Sequence, residues 1–294
     1  MFFNRFYKFI AVVKENLGLV FRSGKGKAGL CIVSITVIVA VFAPIISPAD
    51  PYETNVESIL SRPSVSHLFG TDTLGRDILS RIIHGTRTAL FIGLTAIGIA
   101  FSVGLFLGVL SAYFGSFADR LIILLFDAIR SFPIVILILV IVGISGPTPL
   151  VIIAAVALVV FPLYGRVARS STMSLLEEPY ILAVKTIGAS PGRIITKHVI
   201  PNMIAPLIIM AGMDVAFAII IESGLSFLGL GLSPPTASWG TMLKEGYENM
   251  TRAGYMIIFP CGALTLTIIG FSLLSEALRD ALDPSKKVDI LLQR

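Results

Sequence analysis

Long stretches without a charged side chain dominate this sequence. The windows that contain no Asp, Glu, Lys or Arg are 28–49, 88–118, 131–165, 199–213, 223–243 and 253–275. A helix needs about 20 mostly apolar residues to cross the hydrocarbon layer of a bilayer. Most of these windows reach or exceed that length, so they predict several membrane-spanning helices.

The composition excludes the soluble classes of protein. Of the 294 residues, 55% are hydrophobic and only 14% are charged, whereas a soluble domain carries about 25% charged residues. A soluble core of this length cannot bury so much apolar surface. An ordinary cytosolic enzyme, a disordered chain, a collagen and a disulfide scaffold are therefore excluded.

The windows predict an all-α integral membrane protein with six transmembrane helices. Window 131–165 is too long for one helix and contains Gly143, Gly146, Pro147 and Pro149, which divide it between two helices. The first apolar run is longer than the core of a usual signal peptide, so it is expected to stay as an uncleaved first span. The predicted spans are 28–46, 88–113, 120–143, 149–165, 202–224 and 255–277.

The basic residues predict that both termini are cytoplasmic, because Lys and Arg collect in cytoplasmic loops. With that orientation the inner segments hold sixteen basic residues and the outer segments six. The predicted parts of the chain are a cytoplasmic N-terminal segment 1–27, the first helix 28–46, an extracytoplasmic loop 47–87, a five-helix core 88–280 with a cytoplasmic loop 166–201, and a cytoplasmic tail 281–294. Within the outer loop, residues 79–85 have helical spacing and are expected to lie along the outer surface.

Residues 177–202, EEPYILAVKTIGASPGRIITKHVIPN, have the pattern of two short amphipathic helices with a break. Pro179 suits the first turn of a helix, and Gly188 can adopt the left-handed conformation that ends one. Ser190 is a good N-cap before Pro191. Such a loop either lies on the inner membrane surface or docks into a groove of a cytosolic subunit, and periodicity alone leaves both open.

This segment resembles the cytoplasmic "EAA" loop of permease subunits in binding-protein-dependent ABC importers, and is most similar to the second permease of the dipeptide/oligopeptide/nickel family. Leu182 stands where that pattern has its Glu, and Val184 replaces its second Ala. The matching residues are Tyr180, Ala183, Lys185, Gly188, Ala189, Ser190, Arg193, Ile194, Ile195, His198, Pro201 and Asn202. Residues 67–90, 225–240 and 278–284 are similar to further segments of the same family, in the same order along the chain.

The resemblance implies a type-1 ABC importer permease fold and a division of labour among subunits. A homologous permease would complete the solute pathway, two cytosolic ATPases would bind ATP and Mg and dock on the loop, and an extracytoplasmic binding protein would deliver the solute. Membrane lipid surrounds such a protein, and no nucleic acid is involved. The residues implied in ATPase coupling are Tyr180, Ala183, Lys185, Ile187, Gly188, Ala189, Ser190, Arg193 and His198. Implied solutes are peptides or related compounds, such as nickel chelates and glutathione-like peptides.

No enzymatic, cofactor or metal site is predicted in this chain. It has no G-x-x-x-x-G-K-[ST] phosphate loop, and Gly24-Lys-Gly-Lys27 is a basic patch beside the membrane. Its three histidines, at 67, 84 and 198, fall on both sides of the predicted membrane. No catalytic grouping has a supporting spacing.

Ionisable residues inside the predicted spans are further candidates, because such residues are costly in hydrocarbon. Asp127 and Arg130, three residues apart, are expected to pair along one helix face, either as a structural pair that locks helices together or in direct contact with solute. Asp214 and Glu222 are two turns apart, and pore lining and interhelical hydrogen bonding are equally open for them. Gly104, Gly108 and Ala112 form a stripe of small residues that favours close helix packing.

Two other classes of protein compete with the importer permease. A secondary transporter driven by an ion gradient often shows inverted repeats, but this sequence shows no internal repeat, and that class leaves loop 177–202 unexplained. A membrane anchor without transport is the other alternative.

Overall fold

A computed structural model describes residues 18, 20, 21 and 23–282, and every helix below lies in that part of the chain. The elements are α1 Gly24–Ile46, a 3₁₀ turn Val56–Ser58, α2 Ile78–Phe114, α3 Ser116–Arg130, α4 Ile134–Ser145, α5 Pro149–Leu176, α6 Pro179–Thr186, α7 Pro191–Phe227, α8 Trp239–Glu248 and α9 Tyr255–Leu282. The N-terminal segment before Gly18 and the tail after Leu282, predicted to be cytoplasmic, lie outside the described residues.

Five helices are long and apolar enough to cross a membrane within the described residues: α1, α2, α5, α7 and α9. Helices α3 and α4 pass the same test only as a pair, so the six predicted spans are recovered when that pair counts as one. The prediction of one helix over 120–143 is wrong, because α3 and α4 are bent by 84° at residues 131–133. Pro133 has no N–H to continue a helical ladder, which explains the break.

Helix α2 is much longer than the span predicted inside it. Its 37 residues measure about 55 Å at 1.5 Å per residue, well beyond the hydrocarbon thickness. Residues 79–85, predicted to lie along the outer surface, are instead the first turns of this helix. Asp77 is its N-cap, and its Oδ2 accepts the backbone N–H of Ser80 at 2.8 Å.

The most extensive helix contact joins α2 to α5. A Cβ atom on Gly104 would lie 2.4 Å from the carbonyl oxygen of Phe161, and one on Gly108 would lie 2.3 Å from that of Gly165. The two backbones approach so closely only because these positions lack a side chain. The small-residue stripe predicted on α2 is therefore a helix-packing surface.

The remaining helices surround this pair. Helix α1 packs on α9 and α2, while α7 packs on α9, α2 and α5. At the end of the bundle predicted to be extracytoplasmic, α8 lies against α7 and α9. Trp239 at its start is fully buried and donates from Nε1 to the carbonyl of Ile82 at 3.1 Å.

Replacing Gly108 by Leu is expected to lower the free energy of unfolding of the purified chain by about 1–3 kcal/mol, because the added side chain overpacks the contact and separates α2 from α5. Gly98 is the matched control, since it lies on the same helix with open space around its Cβ position. Thermal unfolding in detergent measures both variants. Equal stability of Gly108→Leu and Gly98→Leu would contradict the packing role.

Candidate coupling loop and intramembrane polar residues

The loop after α5 contains the short helix α6, whose end is fixed by Gly188. This glycine has φ = +79°, a conformation that costs a residue with a side chain roughly 1–2 kcal/mol. Its N–H donates to the carbonyl of Lys185 at 2.9 Å, and the N–H of Ala189 donates to that of Val184 at 3.3 Å. These two bonds form a Schellman motif, so the break predicted at Gly188 is present.

Helix α6 is buried on one side and open on the other. Ile181 is fully buried and Val184 is half-buried against the main core. Tyr180, Ala183 and Ile187 point the other way, and 83% of Ile187 is exposed. An exposed isoleucine beside an exposed alanine and tyrosine makes a small apolar surface that no other part of the described residues covers.

The second half of the loop is the beginning of α7. Ser190 occupies the N-cap position as predicted, although its side chain makes no capping hydrogen bond. The helix then continues through a π-helical turn, Ile195–Val199, into Ile200–Phe227. The fifth span was predicted to begin at Pro201-Asn202, but the helix starts earlier, at Pro191. The π turn absorbs an extra residue without ending the helix.

Tyr180 connects α6 to this π turn. Its ring lies 6.3 Å from that of His198, and its hydroxyl accepts a hydrogen bond from Nδ2 of Asn202 at 3.3 Å. Lys185 and Arg193 are exposed, and Ala189 and His198 are half-buried. The structure therefore brings the predicted coupling residues of both helices together at one end of α5 and α7.

Asp127 does not pair with Arg130, contrary to the sequence-based expectation. It forms a salt bridge with Arg166 of α5. One helix turn further along α5, Arg169 makes a bidentate salt bridge to Asp119 of α3, with both N···O distances 2.6 Å. Pairing along one helix was predicted from spacing alone, whereas the structure offers each carboxylate an arginine on a neighbouring helix.

The two carboxylates of α7 have different surroundings. Glu222 is fully buried and accepts hydrogen bonds from the hydroxyls of Ser226 and Ser238, each at 2.8 Å. It therefore ties α7 to the start of α8, a packing role. Asp214 is half-buried and accepts a hydrogen bond from the Tyr164 hydroxyl of α5 at 2.7 Å.

A buried charge cluster was not singled out from the sequence; it lies in and beside residues 47–77, predicted to be extracytoplasmic and called the outer segment below. Nε of Arg76 lies 2.6 Å from Oδ2 of Asp72, and its guanidinium also reaches Glu245 of α8 at 3.3 Å. Arg81 of α2 lies 3.4 Å from the same Asp72 oxygen. Burial raises the pKa of Glu245, and the two arginines oppose that rise only in part. The signal available in the sequence was the density of charges in residues 72–81.

Asp72 fixes the backbone of the outer segment in addition to pairing with the two arginines. Its Oδ1 accepts the backbone N–H groups of Leu74 and Arg76 at 2.9 and 3.0 Å. The turn closes at Gly75, which has φ = +75° and lies so close to Asn55 that no Cβ fits. The outer segment is thus bonded to α2 and, through Glu245, to α8.

A family comparison agrees with the arrangement just described. The family model of the binding-protein-dependent transport system inner membrane component matches residues 104–288. The chain belongs to this family. The match includes α5, α6 and α7, so the candidate coupling loop lies inside the family domain.

Two similar bacterial proteins extend over most of the chain. The dipeptide transport system permease protein DppC of Alkalihalophilus pseudofirmus is 39% identical over 259 residues, which cover 88% of this chain and 85% of that protein. The glutathione transport system permease protein GsiD of Pectobacterium atrosepticum is 35% identical and covers 88% of this chain and 86% of that protein.

Solved structures show the same fold. An inward-facing structure of the MetNI methionine ABC transporter aligns with a TM-score of 0.56 at 17% identity, over 70% of this chain and 98% of that one. At this identity the likeness concerns the fold alone. The family and the fold together make this permease a multi-pass inner-membrane protein of the type-1 ABC importer class.

Replacing Gly188 by Val is expected to reduce solute uptake at least about tenfold, because the left-handed backbone at the end of α6 is lost. Gly192 is the matched control: its backbone has no positive φ, and like Gly188 it has open space at the Cβ position. Uptake by vesicles that contain the complete transporter, corrected for the amount of permease, is the measurement. Similar uptake by Gly188→Val and Gly192→Val would refute the role of the Schellman turn.

Replacing Asp72 by Asn is expected to destabilise the outer segment by about 3–5 kcal/mol, because two buried arginines lose their shared carboxylate. The measurement is limited proteolysis with the protease added on the outer side, where the variant is expected to be cleaved faster within residues 47–77. Glu57→Gln provides the control, since Glu57 is exposed in the same segment. Unchanged cleavage of the Asp72 variant would show that the cluster does not hold the segment.

Proposed function

We propose that this chain is the second permease subunit of an ABC importer for short peptides or closely related solutes. The proposal is supported by relatives named as dipeptide and glutathione permeases, together with the exposed apolar surface of α6. A homologous permease completes the pathway, and an extracytoplasmic binding protein delivers the solute. ATP and Mg are bound by two separate cytosolic ATPases, and the chain itself has no catalytic role.

The observation that carries the coupling role is the two-sided burial of α6. Its inner side, Ile181 and Val184, packs onto the permease core, so a push on this helix is transmitted to α5 and α7. Its outer side, Tyr180, Ala183 and Ile187, offers apolar groups at helical spacing to a groove on a cytosolic partner. A loop lying on the membrane surface would bury these side chains in lipid instead, and that remains the competing interpretation.

The ATPase moves the permease through rigid connections in this arrangement. Helix α5 leads into α6 and is tied to α3 by Arg169 and Arg166, and Tyr180 ties α6 to the π turn of α7. Closure of the ATPase pair on ATP binding would therefore displace α5 and α7 together. A secondary transporter has no use for such a docking helix, so the family and the helix both favour the importer.

Replacing Ala183 by Glu is expected to weaken ATPase binding by more than tenfold. The larger side chain clashes in the groove and its charge is desolvated there, at a cost on the order of several kcal/mol. The measurement is a pull-down that quantifies how much ATPase stays bound to the purified permease pair.

Thr196→Glu is the control, because Thr196 is exposed on the π turn, outside α6. If the Ala183 and Thr196 variants retain the ATPase as well as the parent does, the docking surface is wrong and the membrane-surface interpretation of the loop is favoured. If the parent complex shows no ATP-dependent uptake of any short peptide, the solute class is wrong.

A further inference from the structure

Asp214 differs from the other carboxylates that lie in or beside the spans. It lies roughly half-way along Ile200–Phe227, where a bare charge is costly. Asp119 and Asp127 each have an arginine partner, and the buried Glu222 accepts hydrogen bonds from three serine hydroxyls. Among the described residues, no Lys, Arg or His forms a salt bridge with Asp214.

The single hydrogen bond to Asp214 fixes its position without neutralising it. Tyr164 donates to Oδ2 at 2.7 Å, and its own ring is fully buried in an edge-to-face contact with Phe101 at 5.7 Å. Oδ1 has no hydrogen-bond donor in the described part of the chain, and the residue is only half-buried. Tyr164 therefore holds the carboxylate in place with one oxygen left available to a further donor.

The open side of Asp214 adjoins an exposed stripe of α7. Pro206, Met213, Ile220 and Phe227 recur every seven residues and are all exposed. Asp214 is about 100° from Met213 around the helix, between this stripe and α5. Since a carboxylate facing lipid tails is strongly disfavoured, the side of the stripe next to Asp214 faces the solute pathway or the other permease.

We propose that Asp214, positioned by Tyr164, is a recognition point on the pathway for a cationic group of the solute, of the alkylammonium class. This proposal rests on the proposed function, since the amino terminus of a peptide carries such a group. An ammonium has three donors and no acceptor, which suits a carboxylate with free acceptor capacity. In a partly desolvated position the attraction is stronger than in water, while a single carboxylate still allows the solute to leave.

Charge-selective labelling beside Asp214 tests the site without requiring transport. In a complete transporter with Cys31 and Cys261 of this chain replaced by Ser, Met213→Cys is labelled by a cationic and by an anionic methanethiosulfonate reagent of similar size. The cationic reagent is expected to react faster, and Asp214→Asn should lower the cation-to-anion rate ratio about tenfold. At Ile220→Cys, about 10 Å further along the same stripe, the ratio should change less than about twofold.

Two outcomes would overturn the site. Failure of both reagents to label Met213→Cys would mean that the other permease seals this surface. An unchanged ratio in Asp214→Asn would mean that the carboxylate is already neutralised, by a proton or by a cation of the other permease.

The solute is tested in the same preparation. Excess dialanine is expected to slow the cationic labelling of Met213→Cys, whereas N-acetyl-dialanine, which lacks the ammonium group, should not. Equal effects of the two compounds would overturn the ammonium as the ligand. The charge-selective labelling needs neither solute nor ATP, so a negative labelling result counts only against the Asp214 site. The proposed function as a peptide importer is tested separately, by peptide uptake by the parent complex.

Discussion

The close approach of α2 and α5 at Gly104 and Gly108 is the contact on which the other features depend. This contact fixes the position of α5. Helix α5 in turn carries Tyr164, which bonds Asp214, and Arg166 and Arg169, which form salt bridges with carboxylates of α3. It also leads into α6. Between apolar helices in a bilayer the hydrophobic effect supplies little attraction, so close van der Waals packing has to do this work. The two glycines of α2 thereby set the position of the candidate coupling loop and of Tyr164, which holds Asp214.

Much of the fold could be predicted from the sequence because the bilayer imposes simple rules. Charge-free windows located α1, α2, α5, α7 and α9, and Gly188 gave the end of α6 because few residues tolerate a positive φ. Local rules failed where the partner is distant in sequence. Asp127 was assigned to Arg130 by spacing, yet its partner Arg166 lies on another helix, and helix packing is not readable from spacing. The bend between α3 and α4 was missed because the apolar composition continues through Pro133.

The candidate site, too, could be predicted only in part from the sequence. Tyr180, Ala183 and Ile187 were implied as coupling residues by the family resemblance, and the structure places all three on the exposed side of α6. Asp214 and Glu222 were equivalent in the sequence, and only their surroundings separate them: three serine hydroxyls donate to the buried Glu222, whereas one tyrosine donates to the half-buried Asp214. The Asp72 cluster was hidden because Glu245, which completes it, follows far along the chain.

The π turn at Ile195–Val199 sets the register between the start of α7 and the rest of that helix. A π turn contains one residue more than a regular α-helical turn, and each residue of an α-helix turns the chain by about 100°. Removing one residue there would rotate Pro191–Ile194 by about that angle relative to Ile200–Phe227. The buried side chain of Ile194 and the contact of Tyr180 with His198 would be displaced, so the length of the chain at this turn determines how α6 is held against the core.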